Sequence, residues 1–227
     1  MAELDNRRPI KSREAGWAHR AAAALADANA RPDLISAASF AFSFLGAALL
    51  LGAGMTPIWP LRAALLLAAA GCIQLRLVCN LLDGMVAVEH DRSSSSGPIW
   101  NELPDRFSDV VLLAGAGYGA AGGGIMFAVE LGWICASLAL LTAYLRELGR
   151  GLGFPADFSG PMAKPQRMAA LTIACLIGAL EPLWGWRGQT LTITLAIVAL
   201  GTAFTAYRRT RTLAGRLAEK NTAGGTP

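Results

Sequence analysis

Residues 34–61, LISAASFAFSFLGAALLLGAGMTPIWPL, decide the fold, because these twenty-eight positions contain no charged residue. A second uncharged stretch, VVLLAGAGYGAAGGGIMFAV, covers residues 110–129. About twenty consecutive apolar residues are enough for a helix to cross the hydrocarbon core of a bilayer. The 227 residues are 54% hydrophobic and only 16% charged, a composition that argues against a water-soluble globular protein. The sequence therefore predicts an integral membrane protein.

Six apolar segments follow one another along the chain and predict an all-α bundle of six transmembrane helices. The predicted helices cover residues 34–55, 59–88, 104–123, 129–149, 167–186 and 189–207. We therefore expect one transmembrane domain over residues 34–207 that carries the chemistry. Residues 1–33 are polar and basic, and the alanine-rich stretch around Trp17 favours a helix lying in the membrane interface, with a solvated tail as the alternative. Residues 208–227 are expected to form a disordered tail.

The basic residues lie mostly on one side of this bundle. All but three of the 20 Lys and Arg residues fall in the N-terminal segment, in the tail, or in and within about one helical turn of the loops after the second and fourth helices. The exceptions are Arg62, Arg76 and Arg187. Because short cytoplasmic loops carry the excess of Lys and Arg, both termini and the loops around residues 89–103 and 150–166 are expected to be cytoplasmic. The net charge of +4 is thus a topology signal that does not imply nucleic-acid binding.

Small size and the lack of an organelle-targeting segment favour a bacterial inner membrane as the location. All four cysteines lie in apolar segments without a C-x-x-C pair, which predicts reduced thiols and no structural zinc. Gly115, Gly119 and Gly123 repeat every four residues and would form a groove for a neighbouring helix. That neighbour belongs either to the same chain, which is the simpler case, or to a second copy in a homodimer.

Polar side chains at the ends of the second and third predicted helices form two rows. Steps of four, three and four residues place the first row on one helical face: Arg76, Asn80, Asp83 and Ala87. The second row recurs every four residues and has Glu102 beside it: Asn101, Asp105 and Asp109. The loop between the two helices is short, so the helices are antiparallel neighbours and their acidic rows can face each other.

Oxygen donors of this kind favour a hard cation such as Mg²⁺ or Mn²⁺, and the two histidines of the chain do not support zinc. The alternative is that Asp105 and Asp109 only form ion pairs with nearby arginines, namely Arg76, Arg92 or Arg106. Spacing alone does not decide between these two interpretations.

The first row resembles a family motif. Asn80, Asp83, Gly84 and Ala87 are similar to the first half of the CDP-alcohol phosphotransferase pattern, D-x-x-D-G-x-x-A-R followed by a spacer and G-x-x-x-D-x-x-x-D. The similarity spans about thirty residues, with a weaker likeness at residues 31–36 and in the six-span layout. The resemblance implies an enzyme that moves a phosphatidyl group from a CDP-linked donor, expected to be CDP-diacylglycerol, to an alcohol acceptor with release of CMP.

Three departures from this pattern matter. Asn80 stands in place of the first aspartate, and Val88 stands in place of the arginine. The third departure concerns register: if Gly97 is the motif glycine, the last two aspartates correspond to Asn101 and Asp105. We prefer the alternative in which Asp105 and Asp109 form the final pair, because it keeps three carboxylates.

The resemblance implies roles for these residues. The metal ligands, for one or two Mg²⁺ or Mn²⁺ ions, would be Asp83, Asp105, Asp109 and Asn80. Asp109 would be the general base, or Asp105 in the other register. Candidate substrate contacts are Gly84, Ala87, Asn101, Glu102, Arg146, Arg150, Lys164 and Arg167, where the four basic residues would hold an acceptor phosphate or a lipid headgroup. Positive-inside topology alone would also place basic residues there.

Two other functions stay open at this point. The departures at Asn80, Val88 and Asn101 are compatible with a catalytically degenerate family member that serves as a lipid-binding or assembly subunit. A carrier could also use membrane-embedded carboxylates as an ion path.

Overall fold

The computed structural model describes residues 15–89 and 97–223, and within these ranges the chain is helical and contains no strand. Seven α-helices succeed one another along the chain. They are α1 (Gly16–Asp27), α2 (Pro32–Met55), α3 (Trp59–Glu89), α4 (Gly97–Ala121), α5 (Ala128–Gly151), α6 (Lys164–Gly178) and α7 (Gln189–Ala223). A short 3₁₀ helix, Glu181–Trp184, follows α6. The prediction of an all-α protein is confirmed.

Four of the described helices are long and apolar enough to cross a membrane: Pro32–Met55, Trp59–Ala87, Ala128–Gly151 and Gln189–Thr222. The protein is therefore an integral membrane protein. Among the described residues, four of the six predicted spans are found by length and composition. The other two predicted spans have different bounds from those expected. α4 begins at Gly97, so Pro104 lies inside the helix instead of starting it. α6 ends at Gly178, four residues before Pro182, which cannot continue an α-helical hydrogen-bond ladder.

The expected disordered tail is wrong for most of its length, because α7 stays helical to Ala223. Side chains of this extension are tied to the loop before α6 and to α5. Arg209 Nη1 donates to the Thr142 carbonyl at 2.8 Å, and Arg209 Nε donates to the Ser159 carbonyl at 3.0 Å. Lys220 Nζ lies 5.5 Å from the centre of the Phe154 ring. These contacts depend on residues far away in the sequence, which is why local periodicity did not reveal the helix.

The glycines of α4 bring it close to α2 and α5. A Cβ atom at Gly119 would lie 2.8 Å from the Leu50 carbonyl oxygen, and one at Gly117 would lie 2.7 Å from the Ala128 carbonyl oxygen. Gly115 and Gly123 likewise face Ala47 and the Arg187 backbone. The glycine row therefore packs within the chain, and it gives no support to the homodimer that we considered from sequence.

The predicted N-terminal helix forms as α1 and packs on the end of α3, while residues 1–14 lie outside the described part. Ala18 and Ala22 are completely buried in a cluster with Leu81, Met85 and Val86. This cluster borders Asp83 on the same turns of α3, so α1 helps to fix the backbone that carries the polar row.

The opposite end of the bundle is closed by a buried ion pair. Arg62, expected on the outer side of the membrane, donates from Nη1 to the Ala53 carbonyl at 2.6 Å, and its Nη2 lies 3.5 Å from Glu181 Oε2. Glu181 also accepts from the backbone N–H groups of Gly188 at 2.6 Å and Thr190 at 2.7 Å. A carboxylate at the N-terminus of α7 is favourable because the helix dipole is positive there.

Candidate active site

The site lies where the N-terminal ends of α2, α4 and α6 meet the C-terminal part of α3. Its first member is Asp83 on α3, of which only 6% is exposed. Ser36 on α2 donates its hydroxyl to Asp83 Oδ2 at 2.6 Å. The other oxygen, Asp83 Oδ1, is buried and has no hydrogen-bond partner within the described ranges. A buried carboxylate oxygen without a partner is costly, so it indicates a position that a ligand could satisfy.

Asn80, one turn before Asp83, connects three helices. Its Oδ1 accepts from the Ser39 hydroxyl of α2 at 2.5 Å, and its Nδ2 donates to Asp105 Oδ1 on α4. The acidic rows of α3 and α4 therefore face each other, as the sequence predicted. A hydroxyl group both donates and accepts, so Ser39 can also accept from Asn80 if the carboxamide turns its oxygen toward Asp105.

Both oxygens of Asp105 have donors. Lys164 Nζ, at the first turn of α6, donates to Oδ2, while Asn80 donates to Oδ1. Arg76 Nη2 also lies 3.5 Å from Oδ1. The Asp105 side chain keeps 15% of its surface exposed, so it stays within reach of a molecule entering from the end of the bundle.

Asp109 lies one turn deeper and is almost completely buried. Arg76 Nη2 donates to its Oδ1 at 2.9 Å, and Arg167 Nη2 donates to its Oδ2 at 2.7 Å. Asp109 therefore forms the ion pair with Arg76 that the alternative interpretation expected, while its part in metal binding stays a prediction. Arg106, the other described arginine in that alternative, instead donates to Glu102 at 2.8 Å; Arg92 lies outside the described residues.

The site is close to charge balance, with three acidic and three basic side chains: Asp83, Asp105, Asp109, Arg76, Lys164 and Arg167. Asp83 is the acidic member for which no ion pair is found within the described part of the chain. It still interacts electrostatically with Asp105 and with Lys164. The carboxylates of α3 and α4 are therefore neighbours, and Asp83 is the one that forms no ion pair with a described cation.

The remaining predicted contacts do not converge on this site. Glu102 accepts from Arg146 on α5 at 2.5 Å, and Arg150 pairs with Glu147 at the surface at 2.9 Å. A Cβ atom at Gly84 would meet nothing within 4 Å. The space beside this glycine is therefore open, and the packing of α4 against α3 does not require a glycine at this position. Ala87 is half-buried beside it. The side chains of Val88 and Asn101 lie outside what the structure describes.

A second group of basic residues lines a small cleft between α5, α7 and the loop before α6. Its lining includes Arg146, Asp157, Arg209 and Arg216. Arg146 also lies 5.6 Å from the centre of the Phe158 ring. Burial by itself would raise the pKa of Asp157, but hydrogen bonds from Ser159 together with the charges of Arg209 and Arg216 outweigh it, and the pKa is lowered. Arg209 and Arg216 were missed because the tail was expected to be disordered.

Ser36, Ser39 and Arg76 are site residues to which the sequence analysis gave no role in binding or catalysis. The three serines of α2 at positions 36, 39 and 43 have helical spacing, and Ser43 donates to Ser108 of α4 at 2.8 Å. That spacing was the available signal, because hydroxyl groups along one face of an apolar helix need partners.

The donor set allows a test of the expected metal. No group of three or more His, Cys, Asp or Glu side chains able to hold an ion occurs among the described residues. Asp83 with its free Oδ1, Asp105 and the Asn80 carboxamide nevertheless offer hard oxygen donors. Mg²⁺ commonly binds through one or two carboxylates together with substrate phosphates. The residues therefore fit one divalent ion that shares its coordination with a bound phosphate compound.

Comparison with known proteins places the chain in a family. No protein-family model matches it. It is 31% identical over 161 residues, 68% of its length, to a bifunctional IPC transferase and DIPP synthase from Rubrobacter xylanophilus. It is also 28% identical over 156 residues to a phosphatidylinositol phosphate synthase from Streptomyces avermitilis. The chain belongs to the CDP-alcohol phosphotransferase family.

The matched region covers 33% of the Rubrobacter protein and 63% of the Streptomyces protein, so the chain spans less than two thirds of either relative. The fold of the family is found again in solved structures. The crystal structure of Mycobacterium tuberculosis phosphatidylinositol phosphate synthase with bound CDP-DAG has a TM-score of 0.72 at 20% identity, covering 88% of this chain and 94% of that one. The same protein in complex with manganese and citrate has a TM-score of 0.70 at 20% identity and covers 86% and 88%.

Proposed function

We propose that this protein is a phospholipid-synthesis enzyme that transfers a phosphatidyl group from CDP-diacylglycerol to an alcohol, with release of CMP. The observation that carries the proposal is the unsatisfied oxygen of Asp83 beside the hydrogen-bonded pair of Asn80 and Asp105. The names of the relatives and the bound CDP-DAG of the mycobacterial structure support the donor.

The enzyme is proposed to cross the membrane six times, with α4 and α6 as the two further spans and α1 in the interface. The end of the bundle that carries the site also carries most basic residues, which supports a cytoplasmic site and cytoplasmic termini. Exposed tryptophans gather at the other end, at positions 59, 133, 184 and 186, as is typical of a membrane–water interface. The location would be a bacterial inner membrane.

Asp83 and Asp105, with the Asn80 carboxamide turned toward them, would hold one Mg²⁺ or Mn²⁺ ion. The ion would neutralise negative charge on the pyrophosphate of the donor and on the departing CMP. The manganese complex of the mycobacterial structure supports a divalent ion. Open space at Gly84 would admit the nucleotide next to the backbone.

Asp105 is proposed as the general base, which revises our preferred register. With Gly97 as the motif glycine, the family spacing falls on Asn101 and Asp105, and Asp109 lies outside the motif. Asp109 is held by two arginines and is almost completely buried, whereas the Asp105 side chain is 15% exposed and can be reached by an entering hydroxyl. Asp105 would accept the proton of the acceptor hydroxyl while the alcohol oxygen bonds to phosphorus and the bond to CMP breaks.

The acceptor is proposed to bind in the basic cleft of Arg146, Arg209 and Arg216. Arg146 and Arg209 already donate some of their N–H groups to Glu102 and to backbone carbonyls. Their remaining N–H groups, together with Arg216, suit a phosphate. This supports an alcohol that carries its own phosphate, such as an inositol phosphate, in line with the names of both relatives. Arg150 points to the surface instead and is left out of this site.

The direct test is CMP release by the purified protein in detergent or liposomes with CDP-diacylglycerol and Mg²⁺, measured with a panel of acceptors. Glycerol 3-phosphate, inositol phosphate, inositol and serine separate phosphorylated from unphosphorylated alcohols. We expect release with a phosphorylated acceptor, and loss of release when EDTA removes the metal. Absence of CMP with every acceptor, from protein that still binds the donor, would contradict the proposal.

One observation favours a second candidate, a degenerate relative that binds the donor without turnover. The basic side chains of the site already neutralise Asp105 and Asp109, and Asn80 replaces a motif aspartate. This candidate predicts binding of CDP-diacylglycerol without CMP release. It further predicts that the double change Asn80→Asp and Val88→Arg raises turnover from zero to a measurable rate.

A further inference from the structure

Lys164 holds an unusual position for a basic residue at the membrane surface. It begins α6, yet its ammonium donates to Asp105 Oδ2 across the site and interacts electrostatically with Asp83, 81 positions earlier in the chain. Topology requires only that a lysine lie at this end of the bundle and does not require that it point inward. Its direction toward Asp105 therefore needs another reason.

The other two cations of the site are committed elsewhere. Arg76 and Arg167 both donate to Asp109, at 2.9 and 2.7 Å, and both are almost completely buried. Lys164 differs from them because its side chain is 22% exposed and bonds to a carboxylate that is also partly exposed. A lysine ammonium on a flexible four-carbon chain can move, whereas a guanidinium held in a buried pair is fixed by geometry. Lys164 is thus the mobile positive charge of the site.

The proposed reaction places a pyrophosphate, with about two negative charges, next to these groups. Asp83 has a free oxygen for one divalent ion, but both oxygens of Asp105 already have donors. A second divalent ion would have to displace the Lys164 ammonium from Asp105. It would then lie close to the displaced lysine and to Arg76 and Arg167. Like charges a few ångströms apart inside a protein repel strongly, because the protein interior screens them less than water does.

We propose that Lys164 is the second positive centre of this site, so that the protein binds one divalent ion at Asp83 and uses the lysine ammonium where a second ion would otherwise lie. This inference rests on the proposed function for its purpose. When the pyrophosphate enters, Lys164 moves from Asp105 to a phosphate oxygen. Asp105 is then free to accept the proton of the acceptor.

The test is the number of Mn²⁺ ions bound per chain, measured without substrate by electron paramagnetic resonance of the free ion during titration of the purified protein. The variants are Lys164→Met, which keeps the length and removes the charge, Lys164→Arg, which keeps the charge, and Asp83→Asn. Lys220→Met is the matched control, because Lys220 lies on α7 against the Phe154 ring and outside the site. Thermal unfolding of each variant shows whether it is folded.

We expect one Mn²⁺ per chain in the unchanged protein, in Lys164→Arg and in Lys220→Met, and none in Asp83→Asn. Lys164→Met is expected to bind a second ion, or to bind the first about tenfold more tightly, since a competing charge is gone. Two ions in the unchanged protein, or no change in Lys164→Met while it remains folded, would overturn the inference.

The outcome is separable from that of the proposed function, because Mn²⁺ titration needs neither donor nor acceptor. One ion and a Lys164 effect without any CMP release would leave the inference standing and remove the enzymatic function. CMP release from a protein that binds two ions would support the enzymatic function and overturn the inference about Lys164.

Discussion

The Nη2 atom of Arg76 lies 2.9 Å from Oδ1 of Asp109, and both side chains are almost completely buried between α3 and α4. Arg167 of α6 donates to the other oxygen of the same carboxylate. A carboxylate held in this way joins three helices, and its charge is needed to balance two buried guanidinium groups. The relationship distinguishes Asp109, which is buried in an ion network, from Asp105, whose side chain is 15% exposed.

Asp109→Asn is expected to destabilise the protein strongly. Removing one member of a buried ion pair typically costs about 3–5 kcal/mol, because the charge of the partner stays buried without compensation. At roughly 2–4 °C per kcal/mol for a chain of this size, the midpoint of thermal unfolding should fall by about 6–20 °C. Unfolding in detergent, followed by tryptophan fluorescence, measures this; a midpoint within 2 °C of the unchanged protein would show that the ion network contributes little.

Asp105→Asn is expected to have the opposite profile. The side chain is partly exposed and the amide keeps its size, so the unfolding midpoint should change little, while CMP release should fall by about 100-fold or more through loss of the general base. If Asp105→Asn keeps its rate and Asp109→Asn loses it without unfolding, the register that we first preferred from sequence is correct.

Ser36→Ala removes the hydrogen bond to Asp83 Oδ2. A hydrogen bond to a charged group contributes about 1.5–3 kcal/mol, so a site that depends on the orientation of Asp83 should lose about 10- to 100-fold in CMP release. Ser43→Ala is the control, since Ser43 bonds to Ser108 farther along the same face of α2. Equal losses in the two variants would mean that Ser36 acts only through packing.

Gly119→Ala tests the close contact between α4 and α2. The added Cβ would lie 2.8 Å from the Leu50 carbonyl oxygen, so the helices must separate at a cost of about 1–3 kcal/mol. Gly71→Ala, inside α3 with nothing within 4 Å of the new methyl group, should be neutral or slightly stabilising. A comparison of the unfolding midpoints of the two variants checks the prediction. If chemical cross-linking detects an oligomer that Gly119→Ala dissociates and Gly71→Ala does not, the glycine row belongs to a dimer interface instead.

Arg209→Gln should raise the KM for a phosphorylated acceptor about tenfold or more and leave the KM for CDP-diacylglycerol unchanged. Arg209 lines the basic cleft, and a guanidinium contact to phosphate is a charge-assisted hydrogen bond. Arg208→Gln is the matched control, because Arg208 is exposed on the neighbouring face of α7. A rise of the donor KM instead would move the acceptor site elsewhere.

The parts of the site that could be predicted are those set by helical periodicity within one element. The spacing of Asn80 and Asp83 on α3, and of Asp105 and Asp109 on α4, was enough to place two polar rows opposite each other. The pairing of Asp105 with Lys164 joins residues 59 positions apart, and that of Asp109 with Arg167 joins residues 58 positions apart. Local pattern carries no information about such contacts, so the sequence predicted the four candidate ligands but not the cations that pair with Asp105 and Asp109.

The same limit explains the errors in the fold. α6 was extended past Glu181 because its apolar composition continues, whereas Pro182 and the bonds of Glu181 to α7 end the helix. Residues 208–223 were expected to be disordered because they are polar, yet contacts of Arg209 with Thr142 and Ser159 hold them. Long-range polar contacts decide both cases.

The central claim is that Asp83 anchors a divalent ion that also contacts the pyrophosphate of the CDP donor. Electron–nuclear double resonance of protein-bound Mn²⁺ with CDP-diacylglycerol detects the phosphorus nuclei within coordination range of the ion. We expect a ³¹P coupling in the unchanged protein and its loss, together with the bound Mn²⁺, in Asp83→Asn. Bound Mn²⁺ without ³¹P coupling, or an unchanged signal in Asp83→Asn, would contradict the claim.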